Sequence, residues 1–196
     1  MLTAAGPKAF GFDDVGHVAR ELAAQPYTAP DRTLPQRLSA LTYDTYRQLG
    51  FHDHRGLWAD QRLPFQAQFF HRGGLFPEKV DVFEVADGIA KPVAYDPAMF
   101  RYATGPLSDL VALDDPRFGF AGLRLLHPLN RADKFDETAA FLGASYFRAV
   151  ARGGVYGASA RGLAIGAGEP GEEFPRFTTF WLERPARGAK ALRLYA

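Results

Sequence analysis

The stretch LGASYFRAVARGGVYGASARGLAIG, from Leu142 to Gly166, decides how the chain is read. It carries two Gly-Ala-Ser units, Gly143–Ser145 and Gly157–Ser159, with two tyrosines, three arginines and no acidic residue. Its glycines invite a phosphate-loop reading, which their spacing refuses. A dinucleotide fingerprint needs G-x-G-x-x-G between a strand and a helix; Gly153, Gly154 and Gly157 lack that spacing, and the residues after Gly157 are strand-like. A Walker loop needs Gly-Lys-Ser/Thr, which is absent. A nucleophile elbow needs G-x-S-x-G. Here Gly157-Ala158-Ser159-Ala160 is followed by Arg161, and Ser145 sits in GASYF. What remains is two short apolar, aromatic runs separated by a glycine turn.

The same texture extends in both directions. LPFQAQFFH places Phe65, Ala67 and Phe69 on one face, Gln66 and Gln68 on the other. KVDVFEVADG alternates and ends in the turn signal Asp87-Gly88. GFAGLRLLHPL reads as a strand with Arg124 among apolar residues, and RFTTFWLERP and ALRLYA come after it at close spacing. Many short strands with turns between them, and no βαβ alternation, predict an all-β, mainly antiparallel sandwich or barrel. Before them, FDDVGHVARELAAQ predicts one amphipathic helix, with Phe12, Val15, Val18, Ala19 and Leu22 on its apolar face and Asp13 and Asp14 at its N-terminus. LPQRLSAL suits a further turn or two of helix, and DETAAFL in the polar insertion LNRADKFDETAAFLG suits a short one.

Composition narrows the function classes. The 196 residues suit one domain or a piece of a larger one. A net charge of +1 argues against bulk electrostatic capture of nucleic acid or anionic membrane. Arginine dominates the 23 basic residues, as a GC-rich gene favours. With no cysteine there is no disulfide, thiolate metal site or cysteine nucleophile. No apolar run approaches the ~20 residues that span a bilayer. Aromatics at 14% fit packed strands, and fit sugar stacking equally well. His52-Asp53-His54 is a weak metal pair, outweighed by a solvated turn before Arg55-Gly56, and no metal site or cofactor is expected. His71 and His127 read as satisfied strand ends. Glu172-Glu173 is a carboxylate pair suited to orienting an arginine or a hydroxyl. Arg148 and Arg161 lie in apolar strands and need partners, for which Asp136, Glu137, Glu172 and Glu173 are candidates.

Together GFAGLRLLHPLN, FLGASYFRAV, VYGASARGLAI, GEEFPRFTTFWLERP and LRLYA resemble the periplasmic glucan biosynthesis family of the OpgG/OpgD (MdoG) type. FGFDDVGHVARELAAQPY, LPQRLSALTYDTYRQLGF, LWADQRLPFQAQFFHRGGLF and VDVFEVADG fit in order, so the resemblance runs from about Phe10 to Ala196. It implies a galactose-mutarotase-like β-sandwich, of which this chain is the first part, with a later immunoglobulin-like domain outside it. It implies a periplasmic protein acting on β-1,2-linked glucan, as an inverting glucanase or a transglycosylase. The alternatives are a non-catalytic glucan-binding protein that assists an inner-membrane glucosyltransferase, and a β domain with only a structural part. The carboxylates associated with catalysis in that family lie C-terminal to this chain, so no catalytic residue is assigned and the chain alone is expected to cleave nothing. The glucan-binding candidates are Tyr146, Arg148, Tyr156, Ser159, Arg161, Glu173 and Trp181, with Ser145 and Ser159 allowing close backbone approach. The family's usual Ala-Ile-Asp is Ala164-Ile165-Gly166 here, which weakens an acidic contact at that edge.

Overall fold

A computed structural model describes residues 9–102, 107–113, 115–154 and 157–196. The alternation in QAQFFH becomes β2 (Gln66–His71), paired antiparallel with β6 (Phe120–His127). From β6 the chain meanders through β7 (Asp136–Leu142), β8 (Tyr146–Ala149) and β9 (Ala158–Arg161). These five strands form one antiparallel sheet in the order β2-β6-β7-β8-β9. A second sheet has the order β11-β10-β3-β4, built from β3 (Asp81–Ala86), β4 (Ile89–Pro92), β10 (Thr179–Glu183) and β11 (Leu194–Tyr195). Its β3–β10 pairing is parallel and the rest antiparallel. A two-stranded pair, β1 (Gly50–Phe51) with β5 (Phe100–Arg101), flanks them. The all-β expectation holds.

Period-2 alternation explains the core. Ala67, Phe69 and Leu123 of the large sheet and Val82, Phe180 and Leu182 of the second are all nearly inaccessible and belong to one cluster. Phe141 meets Phe180 edge-on at 5.6 Å, and Phe69 stacks on Phe120 at 4.3 Å. The Asp87-Gly88 turn joins β3 and β4 as the sequence predicts, with both residues at positive φ (52° and 74°), the geometry of a tight hairpin.

Helix α1 (Phe12–Ala23) forms where expected, and Asp14 accepts a hydrogen bond from the Gly11 N–H at 2.8 Å. Its predicted apolar face is only partly used. Val15 is buried with Val85 and Trp181, whereas Phe12 and Leu22 are exposed. The patch of sheet under the helix accommodates one turn's worth of side chains. Two single-turn helices come next, α2 (Gln36–Ser39) and α3 (Tyr43–Tyr46). DETAAFL is not helical but is β7, paired with β6 on one side and β8 on the other. Two ladders of cross-strand hydrogen bonds override its Ala- and Glu-rich local preference.

The loops are tied by one buried side chain. Arg72, 2% exposed, donates to the carbonyls of Pro77 (2.6 Å), Phe118 (2.9 Å) and Asp31 (3.0 Å). Burial pulls its pKa down, and Asp31 and Glu78 pull it back.

Candidate functional site

One face of the five-stranded sheet packs on the core, so the other must end in solvent or in a site. Register identifies its members. Gln68 pairs with Arg124, Arg124 with Ala140, Ala140 with Arg148 and Arg148 with Ser159, which makes one row across all five strands. Side chains directly opposite in a ladder share a face. Two residues along, Phe70, Gly122 and Leu142 continue that face, and Tyr146 pairs with Arg161.

Glu137 joins this face through a β-bulge. Leu125 pairs with Ala139, but Leu126 pairs with Glu137, leaving Thr138 as the extra residue. Strict alternation would put Glu137 on the core face with Ala139 and Phe141. The inserted residue reverses it. The Thr138 hydroxyl donates to the Leu125 carbonyl at 3.1 Å, within the bulge.

A continuous polar chain results. Asp53 Oδ1 accepts from Gln68 Nε2 (3.1 Å), and Gln68 Oε1 accepts from Arg124 Nε (2.9 Å) and Nη2 (2.5 Å). Arg124 Nη1 lies 3.6 Å from Glu137 Oε2, and Glu137 Oε1 accepts from Arg148 Nη2 at 2.5 Å. Arg124 also sits over the Phe70 ring, 5.9 Å from its centroid. The chain borders a groove of about 610 Å³ whose other walls are α3, through Tyr43, Tyr46 and Arg47, and the β1–β5 pair, through Gly50, Phe51, Phe100 and Arg101. Behind it, the Tyr46 hydroxyl donates to the His71 carbonyl at 2.8 Å. His71 Nδ1 is 2.5 Å from the Arg72 carbonyl, so it carries the proton, and Nε2 accepts from the Tyr102 hydroxyl at 2.9 Å.

The groove gathers three of the sequence candidates, Tyr146, Arg148 and Ser159. Arg161 lies in the adjacent row and is engaged by Glu172, with its guanidinium 5.5 Å from the Phe174 ring centroid. That contact holds the Glu172 carboxyl below its usual range, helped by the Gly168 N–H, and raises Arg161. Glu173 bridges to Ile165 through its backbone and lines a separate groove of about 630 Å³ with Tyr27, Phe174 and Phe177. Trp181 lines neither groove. It is 7% exposed, stacked between Phe10 (5.5 Å) and Phe83 (5.8 Å) under α1. Tyr156 lies outside the described residues. Ser145 is buried in the β7–β8 turn and donates to the Leu163 carbonyl at 2.9 Å, a structural contact.

Sequence reading missed Gln68 and Asp53, which do not line the groove but fix Arg124 through hydrogen bonds, and placed Arg124 only as a polar interruption. Alternation alone put Gln68 on the outer face, but the partner that makes it matter is 56 residues away. His52-Asp53-His54 enters a 3-10 turn with the histidine rings 5.4 Å apart, and Asp53 serves Gln68. Among the described residues no group of three or more His, Asp or Glu side chains is placed to hold a metal. Among the described residues the groove offers hydrogen-bond donors, aromatic surface and one carboxylate that is shared by two arginines. It is chemically equipped to hold a polar ligand.

Fold and site thus define an all-β sandwich with a polar groove on the outer face of its larger sheet. The chain belongs to the family described as "Periplasmic glucan biosynthesis protein, MdoG", whose profile matches residues 10–196. It is 53% identical over 183 residues to "Glucans biosynthesis protein G" of Rhodopseudomonas palustris, covering 93% of this chain and 36% of the relative. It is 46% identical over 200 residues to the protein G of Ralstonia nicotianae (100% and 38%), and 51% identical over 179 residues to that organism's "Glucans biosynthesis protein D 1" (91% and 32%). The chain therefore spans about a third of the curated relatives it matches. No helix among the described residues is long and apolar enough to cross a membrane.

Proposed function

We propose that this chain supplies one wall of the glucan-binding cleft of a periplasmic protein that processes β-1,2-linked glucan. The observation that carries the reading is the row Gln68–Arg124–Ala140–Arg148–Ser159, with Glu137 and Tyr146 beside it, on a groove-forming sheet face. Paired arginines and a fixed carboxylate present donors and acceptors in set positions, which suits vicinal hydroxyls. Tyr146, 42% exposed, offers a ring for the C–H face of a sugar. Arg148 and Ser159 are the hydroxyl contacts. Arg161 and Glu173 extend the binding edge through the loop that Glu172 anchors, and Tyr156 belongs to the stretch between β8 and β9.

Inverting glycoside cleavage needs an acid and a base with a water between them. Among the described residues the one carboxylate lining the groove, Glu137, is committed to Arg124 and Arg148. The catalytic pair is accordingly assigned to the part of the full-length protein outside this chain. The same single carboxylate favours a second reading, a non-catalytic glucan-binding partner of an inner-membrane glucosyltransferase.

The test uses the full-length protein with β-1,2-gluco-oligosaccharides. Binding is read by calorimetry and shortening or transfer by chromatography. Tyr146→Ala and Arg148→Ala should each weaken binding by about tenfold, the loss of one stacking or charge-assisted contact. Product formation selects the enzyme reading, and binding without product selects the non-catalytic one. Wild-type affinity in both variants would sink the groove assignment.

A further inference from the structure

Arg161 stands opposite Tyr146 in the β8–β9 ladder, so the two side chains share the groove-forming face. A long arginine side chain loses much rotamer freedom when it is held in one place, so a fixed guanidinium needs a fixing group. Here that group comes from the loop between β9 and β10. Glu172 Oε1 accepts from Arg161 Nη1, and Glu172 Oε2 accepts from the Gly168 N–H at 3.0 Å. Both carboxylate oxygens are therefore engaged. The Phe174 ring, from the same loop, covers the guanidinium with its centroid 5.5 Å away.

The loop is itself fastened to the sheet. At its base the Gly162 N–H donates to the Ser145 carbonyl (2.8 Å), and the Ser145 hydroxyl to the Leu163 carbonyl (2.9 Å). At its far end the Phe177 N–H donates to the Ala144 carbonyl at 3.2 Å. Midway, Ile165 and Glu173 form an antiparallel bridge, with the Glu173 N–H 3.1 Å from the Ile165 carbonyl. Gly166 and Gly168, both at positive φ (58° and 82°), turn the tip and bring Glu172 back to Arg161. The carboxylate thus reaches Arg161 from a segment tied at both ends and in the middle.

The bond to Glu172 uses one of the five N–H donors of the guanidinium, which leaves donors for a ligand. We infer that Glu172 is a positioning residue for glucan binding. It holds the Arg161 guanidinium beside Tyr146, where the remaining N–H groups meet the hydroxyls of a sugar stacked on that ring. Glu172 itself touches no substrate. A bond between two charged partners is about twice as strong as a neutral one, which suits a site where water competes. The inference rests on the glucan-cleft reading above and adds the residue that sets the geometry of its Arg161 edge.

The experiment is a double-mutant cycle in the full-length protein, with β-1,2-gluco-oligosaccharide affinity read by calorimetry. Arg161→Gln should weaken binding about tenfold and Glu172→Ala about fivefold, the loss and the loosening of one charge-assisted contact. Glu172→Ala added to Arg161→Gln should change affinity by less than about twofold, because Glu172 acts only through Arg161. Glu172→Gln keeps an acceptor for Arg161 and should recover part of the loss, which tests the role without removing the side chain. Equal weakening by Glu172→Ala in both backgrounds would make Glu172 a loop-folding residue and overturn the inference. Wild-type affinity in Glu172→Ala or in Arg161→Gln would overturn it as well. Those outcomes leave the cleft reading standing on Tyr146 and Arg148, whereas failure of the wild type to bind overturns both together.

Discussion

Replacing Gln68 tests whether the polar chain is a single interacting unit. Gln68 is 2% exposed, and its carbonyl oxygen takes two hydrogen bonds from Arg124 while its amide donates to Asp53 at 3.1 Å. Gln68→Leu removes all three. Hydrogen bonds to charged groups contribute about 1.5–3 kcal/mol each, but these two share one acceptor and Arg124 retains Glu137. Water reaches part of the Arg124 side chain, which is 30% exposed. The net cost is about 2 kcal/mol, or roughly 1 M in urea midpoint at a slope near 2 kcal/mol/M. Gln68→Glu has a different signature. It keeps an acceptor for Arg124 but sets a carboxylate against Asp53, a repulsion of about 1–4 kcal/mol between water-like and surface-like screening. Asp53→Asn should remove that repulsion in the Gln68→Glu background and do little in the wild type. The assay is urea-dependent hydrogen exchange of β2 and β6 amides in the full-length protein, which reads this sheet without assuming that the whole molecule unfolds in one step. A midpoint shift under about 0.2 M for Gln68→Leu, or a coupling under about 0.5 kcal/mol between the other two substitutions, would refute the network.

Glu172→Gln should change the acid dependence of the β9 edge. The Glu172 carboxyl is depressed by Arg161, so its contribution is fully present above its ordinary value of 4.5 and is lost as pH falls through the lowered one. Exchange protection of β9 should fall with acid below that value in the wild type and stay flat in the variant; identical profiles would show that the pair does nothing for folding. Gly122→Ala should destabilise by about 2 kcal/mol or more, because the new Cβ would fall 2.1 Å from the Phe141 carbonyl oxygen and the neighbouring strand must move. A thermal midpoint unchanged from wild type would contradict that contact. Arg72→Met leaves the buried Pro77 carbonyl and the part-buried carbonyls of Phe118 and Asp31 without their donor and should cost about 2 kcal/mol, with Arg72→Lys recovering part of it. Soluble yield and urea midpoints measure both.

Elements governed by local rules were legible in the sequence. QAQFFH and FEVADG carry their strand and turn within themselves, because alternation and the Asp-Gly pair act over a few residues. Helix α1 was legible as a helix, but Phe12 and Leu22 were assigned to a buried face that the sheet beneath it does not supply. DETAAFL misled for a related reason, since what makes it a strand is β6 and β8 on either side. Trp181 shows the ambiguity of aromatic residues. The property that suits a sugar platform also suits the space between Phe10 and Phe83, and only packing separates the two.

The site was legible on one strand and hidden across the others. Tyr146 and Arg148 stand two apart on β8, so alternation puts them together whatever β8 pairs with. Their companions depend on register. Arg124 becomes a site residue because β6 lies between β2 and β7, and Gln68 becomes its support because β2 pairs with β6 at that position. Glu137 is the deciding case. It belongs to the groove because Thr138 is surplus to the β6–β7 ladder, and without that surplus the same carboxylate would face Ala139 and Phe141 on the core side. A buried, unpaired carboxylate is costly, and a carboxylate between two arginines on an open face is not. The bulge therefore does two things at once: it keeps a charge out of the core and it gives Arg124 and Arg148 a shared partner.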